Sequence, residues 1–249
     1  LYPSTNDDFY YEVFDTYIAI TQYIGGAKER VVIPDTLEGK PVYVIATKAF
    51  RKSEVQMVEI SKNVHSIEDS AFERCQLLQK VTFTNVIEPV NDAPRGAGVV
   101  KIGENAFSGC IALSDIILPD SLQIIKSGAF SGCRSLKEII FPDSITSLGS
   151  SLLYGCISLE QVTIPPMVTR IPGSFCDNCT SLTDVYIGAT VTEIASSAFN
   201  SVPQTVTIHG TPTSVAAEYA STHFLKFEVV VSSPDNGHKN HIWENNVKE

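Results

Sequence analysis

Apolar residues return along this chain at a constant interval of 23, too long for the turn of one helix or the alternation of one strand. Cys110, Cys133, Cys156 and Cys179 mark it, and Leu113, Leu136, Leu159 and Leu182 each follow three residues later. Ile116, Ile139, Val162 and Val185 come next, then Leu118, Phe141, Ile164 and Ile187. Further columns are Leu122, Ile145, Val168 and Val191, and then Ile125, Leu148, Ile171 and Ile194. A pair column runs Ala106-Phe107, Ala129-Phe130, Leu152-Leu153, Phe175-Cys176 and Ala198-Phe199. Earlier residues repeat the same order, with Ile60, Val64, Ile67, Ala71-Phe72, Cys75, Leu78, Val81 and Phe83 preceded by Val42, Ile45 and Ala49-Phe50. The interval from Phe72 to Phe107 is 35, so the array carries one insertion, placed at 85–97 by its Pro, Gly, Asn and Asp content.

Each unit contains L-x-x-I-x-L-P, whose last two apolar positions alternate with outward ones as in a half-buried strand. The Pro, Gly or Ser column that follows (Pro119, Pro142, Pro165, Gly188, Ser61) ends the strand. The I-x-x-I/L and A-F-x-x-C segments are then read as a tight bend or short helical turn leading to the next strand. One unit cannot bury its own apolar face, so neighbours stack strand beside strand at about 4.8 Å into a parallel sheet. The fold class is therefore a repeat solenoid, with the array spanning 33–210. Its exposed ends need covering. Residues 1–32, alternating about Gly25-Gly26, are read as a hairpin cap, and 211–230 as a C-terminal cap with a short helix capped by Thr213 or Ser214. Phe224, Leu225 and Phe227 are expected to finish the core, and 231–249 is a polar tail.

Composition narrows the function classes. The 249 residues carry 18 Lys and Arg against 28 Asp and Glu, a net charge of −10, and no basic cluster, so nucleic acid and anionic lipid are excluded as partners. No apolar run reaches the roughly 18 residues of a membrane span. Cys176 and Cys179 form a C-x-x-C, but the register assigns Cys179 to the Cys column and Cys176 to the Phe slot, so both are expected as buried free thiols. His65, His209, His223, His238 and His241 are scattered without ligand spacing, and no catalytic or phosphate-binding motif occurs. Neither an enzyme, a metal site nor a cofactor is expected.

The units IGENAFSGCIALSDIILPDSLQI and IKSGAFSGCRSLKEIIFPDSITS resemble the BspA-like, or treponemal-type, leucine-rich repeat. The resemblance implies a right-handed coil with its parallel sheet on the concave face and short helical turns or loops opposite. Phe9 to Val13 with Ala19 to Tyr23 is similar to that family's N-terminal hairpin cap, and Ile208 to Ala220 to its closing unit. Leu152-Leu153 and Phe175-Cys176 depart from its Ala-Phe pair.

With the L-x-x-I-x-L columns inward, two rows face out from that sheet. One is Met57, Lys80, Asp115, Glu138, Gln161, Asp184, Thr205; the other is Glu59, Thr82, Ile117, Ile140, Thr163, Tyr186, Thr207. Asp115, Ile117, Glu138, Ile140, Gln161, Thr163, Asp184 and Tyr186 form the candidate ligand-binding set, in which Ile117, Ile140 and Tyr186, read as lying in adjacent strands, make a small apolar strip bordered by Asp115, Glu138 and Asp184. β-Branched residues on a sheet surface also suit strands without any ligand. The resemblance implies a secreted or cell-surface bacterial protein, anchored if at all by a segment outside this chain, that adheres to host or matrix proteins. A ligand-free structural spacer and an envelope carbohydrate-binding module, with Tyr186 stacking on a sugar, are the alternatives.

Overall fold

The computed structural model describes residues 4–84 and 98–230; the insertion read at 85–97 and the tail at 231–249 lie outside the described residues. The repeats stack into a β-solenoid of about nine turns with parallel sheets. Three hydrogen-bonded seams join neighbouring coils.

The first seam comes from the L-x-x-I-x-L segment. Met57–Ile60 shows the alternation directly: Val58 and Ile60 are buried while Met57 and Glu59 face partly outward. Arg30–Val32, Met57–Ile60, Lys80–Phe83 and Asp115–Ile116 pair in parallel, as do Gln161–Thr163, Asp184–Tyr186, Thr207–Gly210 and Lys226–Val229 further along. Between these two runs the ladder lapses. No backbone hydrogen bond joins 115–118 to 138–141, or 138–141 to 161–164, among the described residues.

The second seam corrects the sequence reading. The I-x-x-I segment, taken as part of a bend, is itself a parallel ladder of two-residue strands: Ser66–Ile67, Lys101–Ile102, Ile124–Ile125 and Ser147–Leu148, with Arg170–Ile171 and Glu193–Ile194 paired beyond. The turn after the Pro column opens into extended backbone, where an inward Ile or Leu can align with its equivalent one coil away. Stacked copies then satisfy each other's N–H and C=O groups, which one isolated dipeptide could not.

The third seam is the A-F-x-x-C turn, where N–H groups point toward the following coil: Phe72 N to Ala106 O at 2.7 Å, Phe107 N to Ala129 O at 2.8 Å, Leu153 N to Phe175 O at 2.8 Å. A left-handed residue stands before the Ala column and another before the Cys column, as in Asn105 and Gly109, Gly128 and Gly132, Ser174 and Asn178. Gly and Asn adopt that conformation at the lowest cost, which explains why they recur there.

These seams enclose one continuous core. Phe50, Phe72, Phe107 and Phe130 are fully buried and stack ring on ring at 4.7, 5.0 and 5.4 Å. The stack stops where Leu153 and Cys176 take the Phe slot. Phe175, one residue earlier, adds an aromatic ring in that coil and meets Phe199 edge-on at 6.1 Å. The Cys column is free and buried, as expected from the register. It also bonds: the Sγ of Cys75, Cys110, Cys133, Cys156 and Cys179 donate to the carbonyls of Phe50, Phe72, Phe107, Phe130 and Leu153, at 2.9 to 3.3 Å. Cysteine is thus a small apolar filler with one donor aimed at the preceding coil.

Close stacking leaves no space at Gly149, where a Cβ would run into the backbone N of Ser127 and the carbonyl carbon of Lys126. Both contacts are backbone, so the coils must separate to admit a methyl group. Gly149→Ala is expected to cost about 1–3 kcal/mol, read as a lower urea midpoint.

Both ends are covered, with differences in detail. The antiparallel hairpin Phe9–Val13 and Ile18–Tyr23 turns at 14–17, where Phe14 N bonds to Tyr17 O, and not at Gly25-Gly26, which follow it. At the other end the helix Val215–Thr222 has Ser214 as N-cap and buries Ala216, Tyr219 and Ala220. The chain then adds a further strand, Lys226–Val229, alongside Thr207–Gly210. Leu225 and Phe227 pack on the core, but Phe224 is 86% exposed. Its φ of 57° places it at the left-handed exit of the helix, facing away from the coil.

Candidate functional site

The outward residues of the first ladder form rows fixed by strand register. One row runs Arg30, Met57, Lys80, Asp115 and resumes as Gln161, Asp184, Thr207, Lys226. The other runs Val32, Glu59, Thr82 and resumes as Thr163, Tyr186, His209, Glu228. The repeat interval sets Glu138 in the first row and Ile117 and Ile140 in the second. Two expectations need correction. Thr207 follows Asp184 in the first row and His209 follows Tyr186 in the second, so the row ends read as Thr205 and Thr207 were two residues out of register. Tyr186 is also not adjacent to Ile140, because the coil carrying Thr163 lies between them.

The candidate residues therefore fall into two groups. In the first, Ile117 is 73% and Ile140 55% exposed, on successive coils, with Asp115 and Glu138 two positions before them. Asp115 Oδ2 accepts from Lys80 Nζ at 2.5 Å, and Glu138 Oε1 from Gln161 Nε2 at 3.4 Å. The Lys80–Asp115 pair is nearly half exposed on both sides, so it adds at most about 1 kcal/mol. These carboxylates are available to meet a partner while remaining loosely tied to their own face.

The second group is packed. Tyr186 stacks on His209 with ring centroids 4.4 Å apart and planes at 14°. Asp184 Oδ1 lies 2.7 Å from His209 Nε2, and Glu228 Oε2 lies 3.7 Å from His209 Nδ1. Burial, reinforced by the carboxylates of Asp184 and Glu228, holds the Tyr186 phenol above its ordinary range, so it stays protonated and presents a hydroxyl. One ring face is already occupied by His209, which disfavours the sugar-stacking reading. His209 was read as one of five scattered histidines, yet adding the repeat interval to Tyr186 arrives at it.

Sequence reading also passed over Asp120 and Asp143. Each stands three residues after its Ile, beyond a buried Pro, and is exposed. The two coils thus share the order acid-x-Ile-x-Pro-Asp, as Asp115-Ile116-Ile117-Leu118-Pro119-Asp120 and Glu138-Ile139-Ile140-Phe141-Pro142-Asp143. This is also where the backbone ladder lapses. Among the described residues no group of three or more His, Cys, Asp or Glu is arranged to hold a metal ion, and no helix is long and apolar enough to cross a membrane.

Comparison with known proteins locates this geometry in a family. Residues 31–93 and 97–217 match the family model described as BspA type leucine rich repeat region, in 6 copies. No curated protein gives a significant match. Among solved structures, a leucine-rich repeat protein from Bacteroides ovatus is 23% identical with a TM-score of 0.67. The match covers 85% of this chain and 56% of that one, so this chain spans little more than half of that protein's length. A leucine-rich repeat protein from T. pallidum is also 23% identical, with a TM-score of 0.51 over 93% of this chain and 100% of that one. At these identities the likeness is one of fold.

Proposed function

The chain belongs to the BspA-type leucine-rich repeat family, and from that premise we propose that it is a non-catalytic recognition protein that binds other proteins across the outward face of its first ladder. It acts outside the cytoplasm, at the cell surface or released, and adheres to host or matrix proteins. The observation that carries this reading is the pair Ile117 and Ile140, two large aliphatic side chains at equivalent positions of adjacent coils, 73% and 55% exposed and so further out than Val13, Val32, Ile124 or Val229, the other exposed aliphatic residues of the strands. A solenoid face makes many modest contacts along its length, and a central apolar anchor with a polar border is the usual arrangement of a protein interface.

The test is surface plasmon resonance against a panel of immobilised extracellular-matrix proteins. Ile117→Asp combined with Ile140→Asp is expected to weaken binding by about tenfold or more while leaving the melting temperature within a few degrees, because neither side chain is in the core. Unchanged binding by the double variant would contradict this face. No saturable binding of the parent to any panel member would favour a spacer role.

A further inference from the structure

We infer that the partner segment meeting Ile117 and Ile140 is cationic: Lys or Arg residues set about an aliphatic side chain. This rests on the reading of that face as the recognition surface and adds the chemistry of what binds there. Each Ile stands between two acids of its own strand and turn, Asp115 and Asp120 about Ile117, Glu138 and Asp143 about Ile140. The neighbouring coils do not repeat this order, since Thr163 follows Gln161 and precedes Pro166, and Thr82 follows Lys80. The carboxylates are thus concentrated where the aliphatic surface is most exposed.

An apolar or acidic partner would strip water from these carboxylates and bring no opposite charge of its own, at a cost set by desolvation and like-charge repulsion. A cationic segment places ammonium or guanidinium groups against the acids on both sides while its own aliphatic residue covers the two Ile side chains. The net charge of −10 draws such a segment in from a distance, and this attraction weakens as salt rises.

The experiment uses fluorescence anisotropy with a labelled Lys-Leu-Lys-Ser-Lys-Leu-Lys-Ser-Lys peptide, its Glu-for-Lys counterpart, and a Lys/Ser peptide lacking Leu. The Lys-Leu peptide is expected to bind saturably and the other two not. Asp120→Asn with Asp143→Asn, and separately Ile117→Thr with Ile140→Thr, should each weaken it by about tenfold. Glu104→Gln with Glu218→Gln removes the same charge elsewhere and should match the parent. If the Asp variant binds like the parent while the Ile variant does not, the face stands and the cationic partner is overturned. Equal binding of the peptide without Leu, equal loss in the Glu104/Glu218 variant, or no binding of the Lys-Leu peptide overturns it too. Parent-like binding by both site variants overturns the cationic segment at this position, while the face itself is judged by the matrix-protein panel.

Discussion

Replacing Phe107 by Ala is expected to lower the free energy of unfolding by about 3–5 kcal/mol, the largest effect of any single truncation proposed for this chain. The ring is fully buried and lies between Phe72 at 5.0 Å and Phe130 at 5.4 Å, parallel to both. Its removal leaves a cavity at two coil interfaces, and a solenoid draws its stability from the interfaces between adjacent units. The rings above and below cannot close the gap, because the third seam holds their backbones one coil apart: Phe72 N to Ala106 O, Phe107 N to Ala129 O. Urea unfolding followed by circular dichroism measures the change. Ile117→Ala, equally apolar but 73% exposed, is the control, with an expected change within about 0.5 kcal/mol. A loss below about 1 kcal/mol for Phe107→Ala would mean that the Phe stack does not carry the core.

The second large effect is alkaline lability. Burial pushes the Cys133 thiol up to about 12 from its ordinary 9.0, and pushes the thiols of Cys110, Cys156 and Cys176 well upward too. The protonated form is the one that the fold holds. The stabilisation is complete below 9.0, erodes as the unfolded chain alone ionises, and is gone once the pH passes about 12. For Cys133 alone, two pH units above the ordinary value correspond to about 3 kcal/mol. The Cys133→Ser variant, whose hydroxyl does not ionise in this range, should lose about that much less than the parent between about pH 8 and pH 11. Ser53 already stands in the same column in an earlier coil, 3.3 Å from the sulfur of Cys75, so a hydroxyl fits the slot. Identical slopes for the two proteins would contradict the buried-thiol account.

Sequence periodicity carried the array, its inward columns and the free thiols, because a constant 23-residue interval leaves each apolar column one place to go. It did not carry the second ladder. Two residues such as Ile124-Ile125 have no strand signature of their own and become extended only when a neighbouring coil supplies hydrogen bonds. Nor did it reveal the donor role of cysteine, since hydrophobic patterning counts a thiol as apolar and is silent on the carbonyl of Phe107 one coil away. Phe224 was misplaced for a related reason. Hydropathy ranked it as core, whereas the helix exit decided its direction.

The candidate face was partly legible. Asp115, Ile117, Glu138 and Ile140 follow from alternation alone. Tyr186 falls in an outward row, but its stacking on His209 emerges only when the constant interval is carried one coil further, from 186 to 209. Asp120 and Asp143 were passed over because they lie past the Pro that ends the strand, outside the alternating pattern.

The most direct test of the recognition face is methyl NMR on protein labelled at Ile δ1, titrated with a matrix protein retained in the binding panel. The account predicts that the signals of Ile117 and Ile140 shift or broaden first, while Ile124, exposed on the second ladder, stays in place. Perturbation centred on Ile124, with Ile117 and Ile140 unmoved, would contradict it.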